Sequence, residues 1–165
     1  MNEKGHVFNA VCLGVGTGLL LEPTVSTAAL VSVVTVGVPV LLGALLPDID
    51  TTFGKHRQTF HNAWVLGAFV AFPHFLGNLS YVWLGITTHY ALDLLGNVKG
   101  MAVFYPFGGM YDIPVGVTID SRWADVVTVL VTAFELAIVA AVIHLGQRAL
   151  LQTPILTQFQ QVVGV

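Results

Sequence analysis

From Val25 to Leu46 the chain runs for 22 residues without an ionisable side chain. A helix rises about 1.5 Å per residue, so about 20 apolar residues cross roughly 30 Å of hydrocarbon. The rest of the chain agrees with a life in lipid. Of its 165 residues 55% are hydrophobic and only 9% charged, where a soluble domain carries roughly 25% charged residues. The sequence reads as one integral membrane domain, residues 1–165, with the bilayer as its solvent. A net charge of −3, thinly scattered, leaves no footprint for nucleic acid. The single cysteine, Cys12, excludes an internal disulfide and any cysteine-cluster metal site.

Further runs supply the remaining helices. Val126–Leu145 spans 20 residues and carries Glu135 near its middle. Such a carboxyl must be protonated, or hydrogen-bonded to hydroxyls such as Thr128 or Thr132 or to a neighbouring helix. Val7–Leu21 is shorter and holds Gly14, Gly16 and Gly18, small residues that let backbones approach in lipid. A cleaved signal peptide is its rival reading, weakened by Glu3 beside Lys4 and a poor cleavage site around Ser26 and Ala28. Ala63 to Leu95 is 33 residues, about 50 Å as one helix and too long for a single crossing. Pro73, His74, Gly77 and Asn78 break it in the middle.

The expectation is an all-α polytopic membrane bundle of about five helical segments, near 7–21, 25–46, 63–75, 79–95 and 124–145. The third and fourth are short and form a hairpin. Residues 96–122 form an interfacial loop or small β-hairpin, with Tyr105, Phe107, Tyr111 and Trp123 suited to the headgroup layer. Lys4, Lys55, Arg57, Lys99 and Arg122 then fall on one side and Arg148 alone on the other, which puts the amino terminus in the cytoplasm of a cell-membrane protein.

Under this topology four of the six histidines, His6, His56, His61 and His89, collect at the cytoplasmic edge with Asp48, Asp50 and Asp93. Pro47 ends the second helix and presents Asp48 and Asp50 two residues apart. His56 and His61 precede the third helix. His89 and Asp93, four residues apart, share one helical face. Taken singly each pattern has an ordinary reading: a solvated turn, a loop pair, a hydrogen-bonded couple. Three independent segments converging on one face favour a shared metal site. His74 and His144 map elsewhere.

Gly5-His6, Leu45-Leu46-Pro47-Asp48-Ile49-Asp50, His56-Arg57 with His61, His89 with Asp93, and Tyr105-Pro106-Phe107 occur in an order that resembles the YdjM-like family, inner-membrane-associated proteins described as membrane-bound metal-dependent hydrolases. The resemblance covers roughly residues 5 to 110. The family's third motif typically reads His-Arg-Gly-x-Thr-His-Ser; here it is His56-Arg57-Gln58-Thr59-Phe60-His61-Asn62, with both histidines and the arginine kept and the glycine, threonine and serine replaced. The resemblance implies metal-dependent hydrolysis and names no substrate.

A His/Asp set without thiolates suits zinc, manganese or iron, as one ion or two. The ligand candidates are His6, Asp48, His56, His61, His89 and Asp93, with Asp50 a bridging or catalytic carboxylate. Such an ion activates water and polarises the scissile bond. Arg57, always charged and fork-shaped, suits an anionic substrate such as a phosphoester or lipid headgroup and is expected to face an open coordination position. No Gly-x-Ser-x-Gly is present, which argues against a serine nucleophile. The alternative is a non-enzymatic metal or proton transporter or a membrane scaffold, favoured by Glu135 and the break at Pro73.

Overall fold

A computed structural model describes residues 3–76, 80–95, 99–113, 117–118 and 121–151. The chain forms α1 (Glu3–Leu21), α2 (Thr27–Leu45), the single turn α3 (Asp50–Phe53), α4 (Ala63–Leu76), α5 (Val82–Leu95) and α6 (Ala124–Leu151), with a 3₁₀ turn at Pro47–Ile49. The five longer helices match the expected segments, and no strand is present among the described residues. α1 starts four residues earlier than the apolar run suggests and α6 continues six residues past Leu145. Of the breaker residues, Pro73 lies inside α4. Gly77 and Asn78, and the start expected for the fourth segment at residue 79, lie outside the described residues.

Local chemistry explains the helix boundaries. Ser26 caps α2, its side-chain oxygen accepting from the Ala29 N–H at 3.2 Å. Asn62 caps α4: its Oδ1 accepts from the N–H groups of Trp64 and Val65, both at 3.1 Å. Asparagine thus fills the place where the resembled motif carries serine, another strong capping residue.

α1, the helix and turn Thr27–Phe53, and α6 are each long and apolar enough to cross a membrane. α4 and α5, 14 residues each, reach about 21 Å and fall short of a full hydrocarbon span. The outer face of α6 leaves Leu130, Phe134 and Leu145 63, 67 and 62% exposed. A row of large apolar side chains with no protein cover belongs in lipid.

α2 packs along both α1 and α5, and α6 packs along α1. Ala10, Leu13, Val36, Val40 and Ala44 form the seam between α1 and α2. Two glycine contacts bring the backbones together. A Cβ on Gly14 would lie 2.6 Å from the Gly37 Cα. A Cβ on Gly43 would collide with the Val82 carbonyl, and one on Gly85 with the Val40 carbonyl, so α2 and α5 touch through their backbones. The start of α1, the end of α2, the start of α4, the end of α5 and the start of α6 share one end of the bundle.

The loop after α5 lies at that same end. It is closed by one antiparallel bridge, Met101 to Tyr111, with N–H···O distances of 2.7 and 2.9 Å. It is tied to the bundle by the Ala102 N–H on the Arg57 carbonyl, 2.9 Å, and the Ala63 N–H on the Val103 carbonyl, 2.8 Å. Phe107 at its tip is 85% exposed, and Trp64 and Trp123 at the same end are 59 and 56% exposed.

Candidate metal centre

His61 and His89 face one another. Their Nε2 atoms are 3.1 Å apart. Asp93 Oδ2 lies 3.5 Å from His61 Nε2 and 3.8 Å from His89 Nε2. Asp48 Oδ1 lies 3.8 Å from His61 Nε2 and 3.6 Å from His89 Nε2. Two nitrogens and two oxygens thus outline a small polyhedron drawn from the end of α2, the loop before α4 and the end of α5. Three of the four residues, His61, His89 and Asp93, are buried, and only Asp48 has a substantially exposed side chain.

The far side of each ring is held. His89 Nδ1 donates to the Ala44 carbonyl at 2.6 Å, a bond made possible by the glycine contact of α2 with α5. His61 Nδ1 pairs with Asp50 Oδ2 at 2.8 Å. Histidine ligands in metal sites are held in this way, one nitrogen on the metal and the other on a carboxylate or carbonyl. Burial favours a neutral His61, but its hydrogen bonds to Asp93 and Asp50 outweigh burial and hold its pKa above the ordinary value.

Asp50, expected among the ligating or reacting carboxylates, is fully buried with both oxygens engaged. Oδ1 pairs with His56 Nδ1 at 2.9 Å, and Oδ2 takes His61 together with a long bond from the Phe60 N–H, 3.4 Å. It sits behind the imidazoles and orients them. Its position as the first residue of α3 points it inward, away from the solvent side where Asp48 lies.

His6 Nε2 is 3.3 Å from Asp93 Oδ1, and its ring stacks on His89 with centroids 3.9 Å apart. The donors therefore form two adjoining groups, His6 with His89 and Asp93, and Asp48 with His56 and His61, each with donor atoms within 4.8 Å of one another. Either group could hold a metal ion. All six expected ligand residues are brought to this one place. His144 is exposed and far along α6, and the His74 side chain lies outside the described residues.

Arg57 is buried, and its guanidinium is already engaged: it lies 3.3 Å from Asp93 Oδ2 and donates to the Lys99 carbonyl at 2.5 Å. The expected open clamp is instead a fixed charge against a site carboxylate. The backbone is strained to put it there, with φ of 64° at a non-glycine residue, a conformation that costs about 1–2 kcal/mol. A pocket of about 490 Å³ opens beside Asp48, lined also by Glu3, Thr51, Thr52 and His56.

Three structural residues escaped the sequence reading. Tyr90, next to His89, donates to the Phe60 carbonyl at 2.6 Å and accepts from the Asn62 N–H at 3.1 Å, which pins the histidine loop to α5. Asn9 and Thr88 hold Glu135: Asn9 Nδ2 lies 2.8 Å from Oε2, and Thr88 Oγ1 lies 2.6 Å from Oε1. Thr128 and Thr132, expected as partners of Glu135, donate instead to carbonyls of their own helix. The available signal was a polar residue inside an apolar helix, Asn9 one turn from His6. Comparison of the chain with family models, curated proteins and solved structures found no match.

Proposed function

We propose that this chain is a membrane-embedded metal-dependent hydrolase, working at the cytoplasmic edge of the membrane on an anionic phosphoester. The observation that carries the reading is the set of His61, His89, Asp48 and Asp93, in which both carboxylates lie within 3.5–3.8 Å of both imidazole nitrogens and the nitrogens are 3.1 Å apart. Tetrahedral zinc, with ligand bonds of about 2.0–2.2 Å, needs edges of about 3.3–3.6 Å. Zinc is accordingly the proposed ion. The ordered motifs that resemble the YdjM-like family support the same reading.

His61, His89 and Asp93 would hold the ion from the buried side. When bound, zinc supplies Lewis acidity and lowers the pKa of water towards about 7. Asp48, the exposed fourth corner facing the pocket, would complete the donor set at rest and, on yielding its place to water, would accept that water's proton at its carboxylate. Asp50 keeps the His61 and His56 rings in register. Arg57 offsets the charge of Asp93 inside the site, and exposed Lys55 in the same loop would favour an anionic substrate. The cluster of Lys4, Lys55, Arg57, Lys99 and Arg122 at the end bearing the site supports a cytoplasmic amino terminus.

The test is metal analysis of detergent-purified protein, wild type beside His61→Ala, followed by hydrolysis assays on a panel of phosphomonoesters and phosphodiesters. Stoichiometric zinc lost in the variant, with turnover of at least one phosphoester, is the expected result. A wild-type protein that takes up no divalent metal overturns the reading. Metal without hydrolysis leaves the transporter or scaffold alternative in front.

A further inference from the structure

The polar cluster inside the bundle, Asn9, Thr88, Thr132 and Glu135, takes no part in the chemistry above, and its hydrogen count is informative. Thr88 Oγ1 lies 2.6 Å from Asn9 Oδ1 and 2.6 Å from Glu135 Oε1. A hydroxyl has one proton, so Thr88 serves one of these oxygens and the other contact needs a second hydrogen. Asn9 cannot supply it, because its amide protons go to Thr132 Oγ1 at 2.9 Å and Glu135 Oε2 at 2.8 Å. Turning the Asn9 amide over does not help. Its oxygen would then face Glu135 Oε2 and Thr132 Oγ1, and Thr132 already donates to the Thr128 carbonyl at 2.7 Å. In either orientation the missing hydrogen sits on Glu135.

We infer that Glu135 carries a proton and that Asn9, Thr88 and Glu135 form a neutral latch fixing the register of α1 and α5 on α6, which positions His6, His89 and Asp93 at the metal centre. The placement makes the argument. Thr88 directly precedes His89, and Asn9 follows His6 by about one helical turn. A slip of either helix along its axis would break the latch and move a metal-site donor. A neutral carboxyl also avoids the cost of an ionised one among apolar helices, about 2.5–3.5 kcal/mol on insertion scales. Glu135 is thus a positioning residue for the centre, although its own helix contributes none of the proposed ligands.

The inference rests on the metal-centre reading, and the experiment separates the two. Zinc affinity is measured by chelator competition on the full chain in detergent, for wild type, Thr88→Val, Thr88→Ser, Glu135→Leu and Glu135→Gln. The infrared carbonyl region is recorded for wild type and Glu135→Gln. Thr88→Val and Glu135→Leu should weaken zinc binding by about tenfold or more. Thr88→Ser keeps the hydroxyl. Glu135→Gln mimics the protonated carboxyl, its NH₂ donating to Thr88 and its carbonyl accepting from Asn9, so both should bind like wild type. The wild-type spectrum should contain a protonated-carboxyl band that Glu135→Gln lacks. Absence of that band, equal weakening by Gln and Leu, or unaltered affinity in Thr88→Val and Glu135→Leu each overturns the latch. A wild type that binds no zinc overturns the metal-centre reading instead, and the infrared band still decides the proton on Glu135.

Discussion

His61 and His89 turn their Nε2 atoms towards each other across 3.1 Å, while each ring is held from behind through Nδ1. The Ala44 carbonyl can only accept, so His89 Nδ1 carries the ring proton and its Nε2 offers a lone pair. A neutral His61 bonded to Asp50 through Nδ1–H does the same. Two lone pairs at that separation repel unless a positive charge lies between them. A proton on His61 meets the need in acid, and a divalent cation meets it with four donors at once.

Zinc uptake should therefore displace a proton. The pKa of His61 is held above its ordinary value by Asp93 and Asp50 against burial, so the ring keeps its proton to higher pH than a free histidine. Below that raised pKa, zinc affinity should fall about tenfold per pH unit for one displaced proton; above it, His61 adds no further dependence. Calorimetry in buffers of different ionisation enthalpy should report the released proton, and a pH-independent affinity from pH 5 to 8 would contradict the exchange.

Ligands and their supports should separate in a titration. His61→Ala and Asp93→Ala should abolish stoichiometric zinc. Asp50→Asn, which leaves the four-donor polyhedron intact and loosens only the imidazoles, should weaken it by about 10–100-fold. Equal loss in Asp50→Asn and His61→Ala, each still folded by circular dichroism, would make Asp50 a ligand.

Arg57 combines a buried ion pair with a left-handed backbone. Arg57→Ala should lower stability by about 1–3 kcal/mol, because it takes one charged partner from buried Asp93 and leaves the carboxylate to its histidine neighbours. Arg57→Gly loses the same pair but accepts φ of 64° without strain, so it should be less damaging than alanine by about 1 kcal/mol. Thermal unfolding in detergent, followed without added metal, compares the two.

The glycine contact of α2 with α5 holds the Ala44 carbonyl against His89. Gly85→Ala should cost about 1–3 kcal/mol through overpacking and reduce zinc affinity as well, since the wedge draws that carbonyl from the ring. Gly67→Ala, at a position with nothing within 4 Å of an added Cβ, is the control expected to do neither.

The elements were legible because lipid imposes simple arithmetic: apolar runs of sufficient length at Val25–Leu46 and Val126–Leu145 became α2 and α6. The site residues were legible because histidine and aspartate are rare and costly in such a chain, so their recurrence near helix ends was informative. Their roles were not. Asp48 and Asp50 look alike in sequence, and only the turn at Pro47–Ile49 and the short α3 decide that one faces the pocket and the other lies behind the histidines. Arg57 was visible as a cation, but its pairing with Asp93 depends on a loop conformation that no spacing rule specifies. Glu135 looked remote from the site on its own helix; side-by-side packing of α1, α5 and α6 put Asn9 and Thr88 against it.

The four proposed donors come from residue 48, residue 61 and the pair at 89 and 93, so they meet only after the α4–α5 pair has folded back against α2. A nascent chain with only α1 and α2 inserted lacks three of them, and one with α4 in place and α5 still outside lacks two. If the proposed centre binds its ion, retention would be a checkpoint on membrane insertion: metal content would count properly assembled molecules in a preparation, where helicity alone would also count the misthreaded ones.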